Sequence, residues 1–383
     1  MTTSRRLLLE FHPEHNDFSK GKELCDGLSV VLQIGDTLWV ANDETVSLER
    51  LSLAHGKDGK ECARAGGHKQ FPLSDYLRLP APPTGNPADL QEVDIEGLAY
   101  EDGYLWLVGS HSLKRKKPEP GTDAAKAQRQ LSRVISETNR YLLARIPVVT
   151  EDGEVMLKKE TTDDEAGGNA KRTAAQLRAR GKTNDLMDAL SGDEHLAAFL
   201  AIPGKDNGFD IEGLAVKGKR LFVGLRGPVL RGRAVILELE LKQDKLDPSI
   251  FKLKRIGPDG RRYRKHFLEL GGLGIRDLCV QDNDLLILAG PSMDLDGPVT
   301  VFRWVGGTCP DEECMLDAGE EAGRLKRVID VPFGQGVDHA EGICLFAEND
   351  GPPALLVVYD AAASSRQLGG GVLAADVFPL ARG

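Results

Sequence analysis

The six residues Asp-Ile-Glu-Gly-Leu-Ala occur twice in this chain, as Asp94–Ala99 and as Asp210–Ala215. Looser copies begin at Asp26, Arg276 and Glu341, and a second, strongly apolar stretch follows each copy. These second stretches are Leu38–Ala41, Leu105–Val108, Leu221–Gly224, Leu285–Leu288 and Leu355–Val358. Short apolar stretches that alternate with turns and recur along a chain predict antiparallel strands in a repeat architecture.

The spacing of the copies predicts that the repeats close into a ring. Counted from Asp26, Glu96, Glu212, Arg276 and Glu341, successive copies are 70, 116, 64 and 65 residues apart in a chain of 383. The residues before the first copy and after the last one together make a further interval of 68. This match predicts that Arg6–Phe11 pairs beside Leu373–Leu380, so that both ends of the chain complete one repeat.

The sequence therefore predicts an all-β protein, a five-bladed β-propeller that forms a single domain over residues 1–383. Residues 113–200 fall in the long interval and are predicted to contain a charged, partly helical insertion. Within it, Thr122–Thr138 and Lys171–Leu200 are rich in Ala, Leu, Arg and Asp and are interpreted as helical. A sixth, degenerate blade hidden in this interval is the alternative. The basic run Lys114–Lys117 is expected to overhang one mouth of the channel.

Composition excludes several classes of function. The net charge of −10 argues against nucleic-acid binding, which requires a basic surface to displace counterions. No apolar run approaches the roughly 18 residues of a membrane span, and the apolar run at Leu7–Leu9 is too short for a secretory signal. We therefore expect a cytoplasmic protein with no membrane partner.

The six cysteines, at positions 25, 62, 279, 309, 314 and 344, are expected to be thiols. The spacing of Cys309 and Cys314 is wider than that of the usual zinc knuckle. Cys279 and Cys344 share a repeat position with small residues, which predicts a packing role.

Polar residues cluster where the inner strands begin and where the second strands end, and both places should face one mouth of the channel. Gly97, Gly213 and Gly342 are interpreted as structural, and Asp94 and Asp210 as acceptors of backbone N–H bonds. The remaining candidates divide by role. The catalytic candidates are Glu212, Glu341, His339, Arg226 and His111, the ligand-binding candidates are Asp43, Arg276, Asp360 and Tyr359, and the metal-ligand candidates are Asp26, Glu96, Glu212 and Glu341.

Carboxylates that face one narrow channel repel one another and need a cation, a positively charged ligand or raised pKa values. Arg226 and Arg276 could neutralise part of this charge, and a hard divalent cation (Ca²⁺, Mg²⁺ or Mn²⁺) is the other solution. Because repulsion is relieved by neutral side chains, Glu→Gln at Glu212 or Glu341 is expected to leave stability unchanged or to raise it.

The Asp-Ile-Glu-Gly-Leu-Ala motif resembles that of a bacterial β-propeller family known only as a domain of unknown function, and the likeness covers most of the chain. More distantly the repeats look like those of phytase-related esterase-like propellers and of gluconolactonase- and paraoxonase-like propellers. In the lactonase group, a Glu-Gly that opens an inner strand supplies a ligand to a divalent cation. The resemblance implies that Glu96, Glu212 or Glu341 has this role, although the Asn ligands of those enzymes have no counterpart beyond Asn42.

Two functions follow as hypotheses. The first is a divalent-metal-assisted hydrolase of a small phosphoester, ester or lactone, with Glu212 or Glu341 as general base and Arg226 or His111 stabilising developing negative charge. The alternative is a non-catalytic propeller scaffold that binds a small ligand or a protein partner.

Overall fold

The computed structural model describes residues 4–19, 22–54, 64–84, 90–118, 121–163, 170–317, 323–348 and 352–380. The prediction of an all-β protein is confirmed, because strands make up most of the ordered elements. The three α-helices are α1 (Pro13–Asn16), α2 (Ala124–Leu131) and α3 (Asp185–Leu190) in the described part of the chain. No helix among these residues is long and apolar enough to cross a membrane.

The strands follow in chain order. In the first half they are β1 (Arg5–Glu10), β2 (Asp17–Ser19), β3 (Lys22–Glu23), β4 (Leu28–Ile34), β5 (Thr37–Asn42), β6 (Ser47–Ala54), β7 (Arg64–Pro72), β8 (Ile95–Glu101), β9 (Tyr104–Gly109), β10 (Lys114–Arg115), β11 (Val134–Ile135), β12 (Leu143–Glu151), β13 (Glu154–Leu157), β14 (Glu160–Asp163), β15 (Ala170–Thr173), β16 (Ala175–Leu177), β17 (Ala179–Arg180) and β18 (Thr183–Asn184). In the second half they are β19 (Asp210–Lys217), β20 (Arg220–Gly227), β21 (Arg233–Gln243), β22 (Ile250–Leu253), β23 (Arg264–Glu269), β24 (Gly274–Gln281), β25 (Asp284–Gly290), β26 (Val299–Trp304), β27 (Met315–Leu316), β28 (Leu325–Val331), β29 (His339–Phe346), β30 (Ala354–Asp360), β31 (Gln367–Gly369) and β32 (Val372–Pro379).

The main strands form five antiparallel meanders, each starting with one of the predicted repeat copies. Their strand orders are β4-β5-β6-β7, β8-β9-β12-β16, β19-β20-β21-β23, β24-β25-β26-β28 and β29-β30-β32-β1. The first strand of each meander contacts the first strand of the next, and β29 contacts β4 in turn. The five inner strands therefore surround one axis. Apolar clusters fill the spaces between meanders, as where Trp39 and Val30 of the first pack with Leu105 and Ile146 of the second.

The predicted pairing of the chain ends is confirmed. Strand β1 pairs antiparallel with β32 over six residues, from Arg5 opposite Val377 to Glu10 opposite Val372. The other edge of β1 pairs in parallel with β7 at Leu8 and Leu9. The N-terminal strand thus completes the last meander and joins it to the first.

Glycines at one repeat position let the inner strands approach closely, as predicted. A Cβ atom on Gly97 would lie 2.6 Å from the backbone nitrogen of Leu214, and one on Gly342 would lie 2.8 Å from the Cα atom of Val30. Both distances are shorter than any side chain tolerates. In β24 the same position holds Asp277, whose carboxylate accepts backbone N–H bonds from Leu278 (2.7 Å) and from Ile343 of the next inner strand (2.8 Å).

The register of the first repeat differs from the prediction. Leu28 pairs with Asn42 where Ile95 pairs with Gly109, so Ser29, and not Asp26, occupies the position of Glu96. Ser29 Oγ donates a hydrogen bond of 2.7 Å to the carbonyl of Ile95. The acid–glycine pair Asp26-Gly27 therefore misaligned this copy by three residues, because the strand begins after Gly27.

The segment 113–200 is only partly helical. Helix α2 lies within the predicted Thr122–Thr138, but the helix expected over Lys171–Leu200 is wrong for its first half, where β15 to β18 occur. The segment also supplies β12 and β16 to the second meander. Strand β16 lies between β12 and β22, and pairing on both edges outweighs the helical preference of its Ala and Leu residues.

Candidate functional site

A cavity of about 480 Å³ lies at the start of the inner strands. We call it the axial cavity. It is lined by Asp43, Glu44, Glu92, Asp94, Glu96, Ser112, Leu113, Lys114, Arg115, Lys116, Lys117, Pro118, Leu131, Arg140, Lys205, Asp206, Asp210, Glu212, Arg226, Asp294, Glu341 and Asp360. Carboxylates from several meanders therefore meet at one end of the axis, and the basic residues Lys114–Lys117 line the same cavity.

Two arginines hold the central carboxylate. Arg226 Nη1 donates a 2.7 Å hydrogen bond to Glu212 Oε1, and Arg276 Nε lies 3.0 Å from Glu212 Oε2. Arg276 also binds Glu341 through Nη2. Arg226 is fixed from behind, because it donates to the carbonyls of Ser292 (3.2 Å) and Met293 (3.4 Å). Arginine thus neutralises the two glutamates that the sequence singled out as general bases.

A second charge network also lines the axial cavity. Arg140 Nη1 is 2.6 Å from Asp94 Oδ2, and its other nitrogens bind Glu92 at 3.1 Å and Glu137 at 3.2 Å. Lys114 binds the same two glutamates, at 2.9 and 2.8 Å. Asp94 therefore pairs with a cation of the insertion, and within the described ranges its carboxylate accepts no backbone N–H bond.

Asp43, Glu96 and Lys205 are among the charged side chains of the axial cavity that form no ion pair with the described residues. Burial raises the pKa of Glu96 well above its usual value, and repulsion from Asp94 and Glu212 adds to this. Burial likewise raises the pKa of Asp43. For Lys205 burial lowers the pKa, but nearby carboxylates such as Glu341 outweigh it, so its pKa is raised.

Asp210 is neither closely paired, as Glu212 is, nor without a cationic neighbour among the described residues, as Glu96 is. Its carboxylate lines the cavity 4.0 Å from Arg226 Nη1, and its side chain is buried. Burial and repulsion from Glu212 raise the pKa of Asp210 to about 7, against the attraction of Arg226. A carboxyl group with this pKa is present in both protonation states near neutral pH.

We expect Glu96→Gln to raise the melting temperature at pH 8 by about 2–6 °C and to leave it unchanged at pH 4. The folded protein holds the Glu96 proton more tightly than the unfolded chain does, so this group favours folding least at high pH. Its destabilising effect therefore sets in as pH rises above the unfolded pKa of about 4.3. Glutamine removes the titration and keeps the shape.

Thermal melts across pH 4–8 check this, with Glu160→Gln as the control. Glu160 lies on an exposed hairpin and pairs with Lys171. An equal change in both variants, or a lower melting temperature for Glu96→Gln at pH 8, would contradict the assignment of Glu96 as an uncompensated carboxyl group.

A neighbouring cavity of about 400 Å³ shares Lys205, Arg226 and Glu341 with the axial cavity. We call it the side cavity. Its wall includes Arg276, Asp360 and His339, whose Nε2 lies 3.1 Å from Asp296 Oδ1. The structure therefore brings together most of the predicted residues: Glu96, Glu212, Glu341, Arg226, Arg276, Asp43, Asp360 and His339 line one or both cavities.

Three predicted site residues lie outside both cavities. His111 is buried, donates from Nδ1 to the Gly109 carbonyl (2.8 Å) and accepts from Asn184 (2.7 Å). Burial lowers the pKa of His111 to about 4, so it is neutral and structural. Tyr359 donates to Asp376 (2.8 Å) beneath the Arg366 guanidinium, and Asp26 binds Gln367 (3.1 Å) in a separate groove.

Among the residues that the structure describes, the carboxylates of the two cavities are not grouped as ligands of a divalent cation. No group of three or more His, Cys, Asp or Glu side chains in the described ranges is arranged to hold a metal ion. Of the four predicted ligands, Asp26 lies elsewhere, and Glu212 and Glu341 bind arginine instead. The arrangement therefore does not fit a metal centre built on these four residues.

Sequence reasoning missed Lys205, Arg140 and Glu92. None of them belongs to the repeat: Lys205 lies in a 3₁₀ turn before β19, and Arg140 lies in another within the insertion. The sequence shows that these residues are charged, but it does not show that folding places them at the axial cavity.

The chain belongs to a family described as "Protein of unknown function (DUF3616)", whose model matches residues 27–376. This confirms the resemblance that the repeated motif indicated. No match was found among curated proteins. Solved structures with some likeness include a glucose dehydrogenase-type oxidoreductase of Thermus thermophilus, at 14% identity and a TM-score of 0.37, covering 98% of this chain and 100% of that one. The tail fibre of Staphylococcus aureus phage P68 is 9% identical with a TM-score of 0.34, and the match covers 98% of this chain and 53% of the fibre.

Proposed function

We propose that this chain is a five-bladed β-propeller whose axial cavity binds a small polar molecule. Five meanders with five inner strands in cyclic contact support the blade count. A separate sixth blade within residues 113–200 is disfavoured, because β12 and β16 of that segment belong to the second meander. A cytoplasmic location is part of the same proposal.

The proposed activity is hydrolysis of a small ester, lactone or phosphoester. The observation that carries it is Asp210, a buried carboxyl group with a pKa of about 7 that faces the cavity beside Arg226. A group that is half ionised near neutral pH can take a proton from water and return it to a leaving oxygen. Arg226 and Lys205 supply positive charge for the negative oxygen that develops on the substrate.

This assignment moves the general base from the predicted Glu212 or Glu341 to Asp210. A carboxylate held by two guanidinium groups is a weak base, because protonation would break both ion pairs. Glu212 has two such partners and Glu341 has one, whereas Asp210 has only a distant one. In the proposal, Glu212 positions Arg226 and Arg276.

The test is a panel of nitrophenyl esters, lactones and nitrophenyl phosphates, assayed with wild type, Asp210→Asn and Asp330→Asn. Asp330 is an exposed aspartate that pairs with Arg327, and it is the matched control. We expect hydrolysis of one class, a loss of about 100-fold or more in Asp210→Asn, and no change in the control. Hydrolysis that persists in Asp210→Asn would reject the assignment.

A divalent cation remains a prediction with its own test. Thermal melts with and without Ca²⁺, Mg²⁺ or Mn²⁺ reveal a bound ion, because a ligand of the folded state raises the melting temperature. Loss of activity in EDTA that Mn²⁺ restores would favour the metal-assisted version. Unchanged melting and unchanged activity would favour the metal-free one.

A non-catalytic binding scaffold is the second candidate, favoured by exposed apolar side chains at the side cavity. Met293, Leu295 and Phe333 are 41%, 62% and 47% exposed and lie on its wall. Absence of hydrolysis throughout the panel, combined with a melting shift by an unreacted ester or phosphate, would favour this candidate.

A further inference from the structure

A groove of about 530 Å³ lies beside strands β16, β21 and β22, and none of its described lining residues lines the axial or the side cavity. We call it the basic groove. Its lining includes the side chains of six cations: Arg178, Lys242, Lys252, Lys254, Arg255 and Arg262. The stretch from Lys252 to Lys265 holds seven basic residues and one acidic residue, although the whole chain has a net charge of −10. Positive charge is therefore concentrated at this place against the overall balance of the chain.

The strands hold several of these cations side by side. Lys242 of β21 lies directly opposite Lys252 of β22. Lys252 and Lys254 alternate along the chain with the buried Phe251 and Leu253, so the two lysines share the outer face. Like charges directly opposite each other on neighbouring strands repel. A bound anion would offset this repulsion.

Three acids beside the groove already have cationic partners. Asp185 binds Arg178 at 3.0 Å and Arg180 at 2.6 Å, Glu240 binds Lys254 at 2.9 Å, and Asp244 binds Lys252. These acids therefore neutralise part of the positive charge, and they do so on one set of the cations.

The other cations of the groove are left for a ligand. Within the described part of the chain, the side chains of Lys242, Arg255 and Arg262 form no hydrogen bond or ion pair. Arg255 and Arg262 flank a closed loop, in which the N–H groups of Ile256 and Gly257 both donate to the Arg261 carbonyl at 3.0 Å. A guanidinium group can donate two parallel hydrogen bonds to the oxygens of one phosphate group.

We propose that the basic groove binds a small soluble anion that carries two or more linked phosphate groups. Linked phosphate groups place several negative charges close together, so Lys242, Arg255 and Arg262 can each meet a phosphate oxygen. The groove volume lies within the range of roughly 300–1,000 Å³ that is typical of small-molecule sites. No aromatic side chain is among the described lining residues, so the groove offers no stacking surface for the bases of a nucleic acid.

The experiment titrates inorganic triphosphate into the full chain by isothermal titration calorimetry, in a buffer that contains EDTA. We expect one site per chain, with a Kd for triphosphate about 10-fold or more below that for inorganic phosphate at the same ionic strength. Binding should weaken as salt is added, because salt screens exposed charges.

Variants locate the site. Arg255→Gln, Arg262→Gln and Lys242→Gln should melt at the parental temperature, because these side chains have no partner among the described residues. We expect each to raise the Kd for triphosphate about 5–20-fold, and the double variant Arg255→Gln/Arg262→Gln to raise it about 100-fold or more. Arg255→Lys should have a smaller effect than Arg255→Gln, because it keeps the charge and loses the paired donors.

Lys326→Gln is the matched control. Lys326 is an exposed residue of β28, so the variant removes one positive charge away from the groove and should leave the Kd unchanged. Equal affinity for phosphate and triphosphate, or a Kd that the double variant leaves unchanged, would overturn the proposal. Tighter binding of a single-stranded oligonucleotide or a polyglutamate peptide at the same ionic strength would also overturn it, and would identify a surface for a polymer instead.

Discussion

Deletion of residues 1–12 is expected to abolish the soluble folded protein. The deletion removes β1, which pairs with β32 on one edge and with β7 on the other. Leu7, Leu9 and Phe11 are 0%, 0% and 3% exposed. Burying each such side chain contributes about 1.5–3 kcal/mol, and the sum is comparable with the whole stability of about 5–15 kcal/mol typical of a domain. The unpaired edges of β32 and β7 would also be templates for aggregation.

Soluble yield, circular dichroism and thermal melting measure the effect, and deletion of residues 1–4 is the control, because it leaves all of β1 (Arg5–Glu10) in place. A synthetic peptide of residues 1–12, added during refolding, should restore part of the folded fraction by replacing the missing strand. A truncated chain that melts cooperatively at the wild-type temperature would contradict a ring closed by β1.

The strands were predictable because their pattern is local and repeated. Apolar stretches such as Val299–Trp304 coincide with β26 in the structure, and ring closure followed from the interval lengths alone. What the sequence could not give was register within a repeat. Asp26 looked equivalent to Glu96, yet strand pairing places Ser29 there, because β4 begins at Leu28, after its acid–glycine pair, whereas Glu96 and Gly97 lie inside β8.

The sequence predicted where the charged residues of the site lie, but not which acidic side chain pairs with which basic one. The mouth of the axis does collect the predicted acids, but which cation meets which acid depends on three-dimensional distances. An architectural aspartate that binds a neighbouring inner strand exists at Asp277 rather than at Asp94 or Asp210. His111 was a plausible catalyst by position, and only burial against Asn184 and Gly109 reveals a structural role.

Glu212→Gln is expected to destabilise the protein by about 3–5 kcal/mol, which reverses the expectation from carboxylate repulsion. Glu212 is 2% exposed and lies between Arg226 and Arg276, both also buried. A neutral side chain leaves the two guanidinium groups with less compensating charge, and uncompensated buried charge is costly. Arg276 keeps Glu341, whereas Arg226 keeps only two backbone carbonyls and the more distant Asp210.

Because Arg226 keeps fewer partners than Arg276, a second substitution at Arg226 should restore part of the stability that Glu212→Gln loses. In Glu212→Gln, Arg226 loses its close carboxylate partner. The double variant Glu212→Gln/Arg226→Gln also removes this unpaired guanidinium group, while Arg276 remains paired with Glu341. We therefore expect the double variant to unfold in urea at a higher midpoint than Glu212→Gln alone. Arg226→Gln alone should be destabilised too, because Glu212 would then keep only Arg276. Wild-type stability in Glu212→Gln, or a double variant with additive losses, would mean that repulsion among the carboxylates outweighs their pairing with arginine.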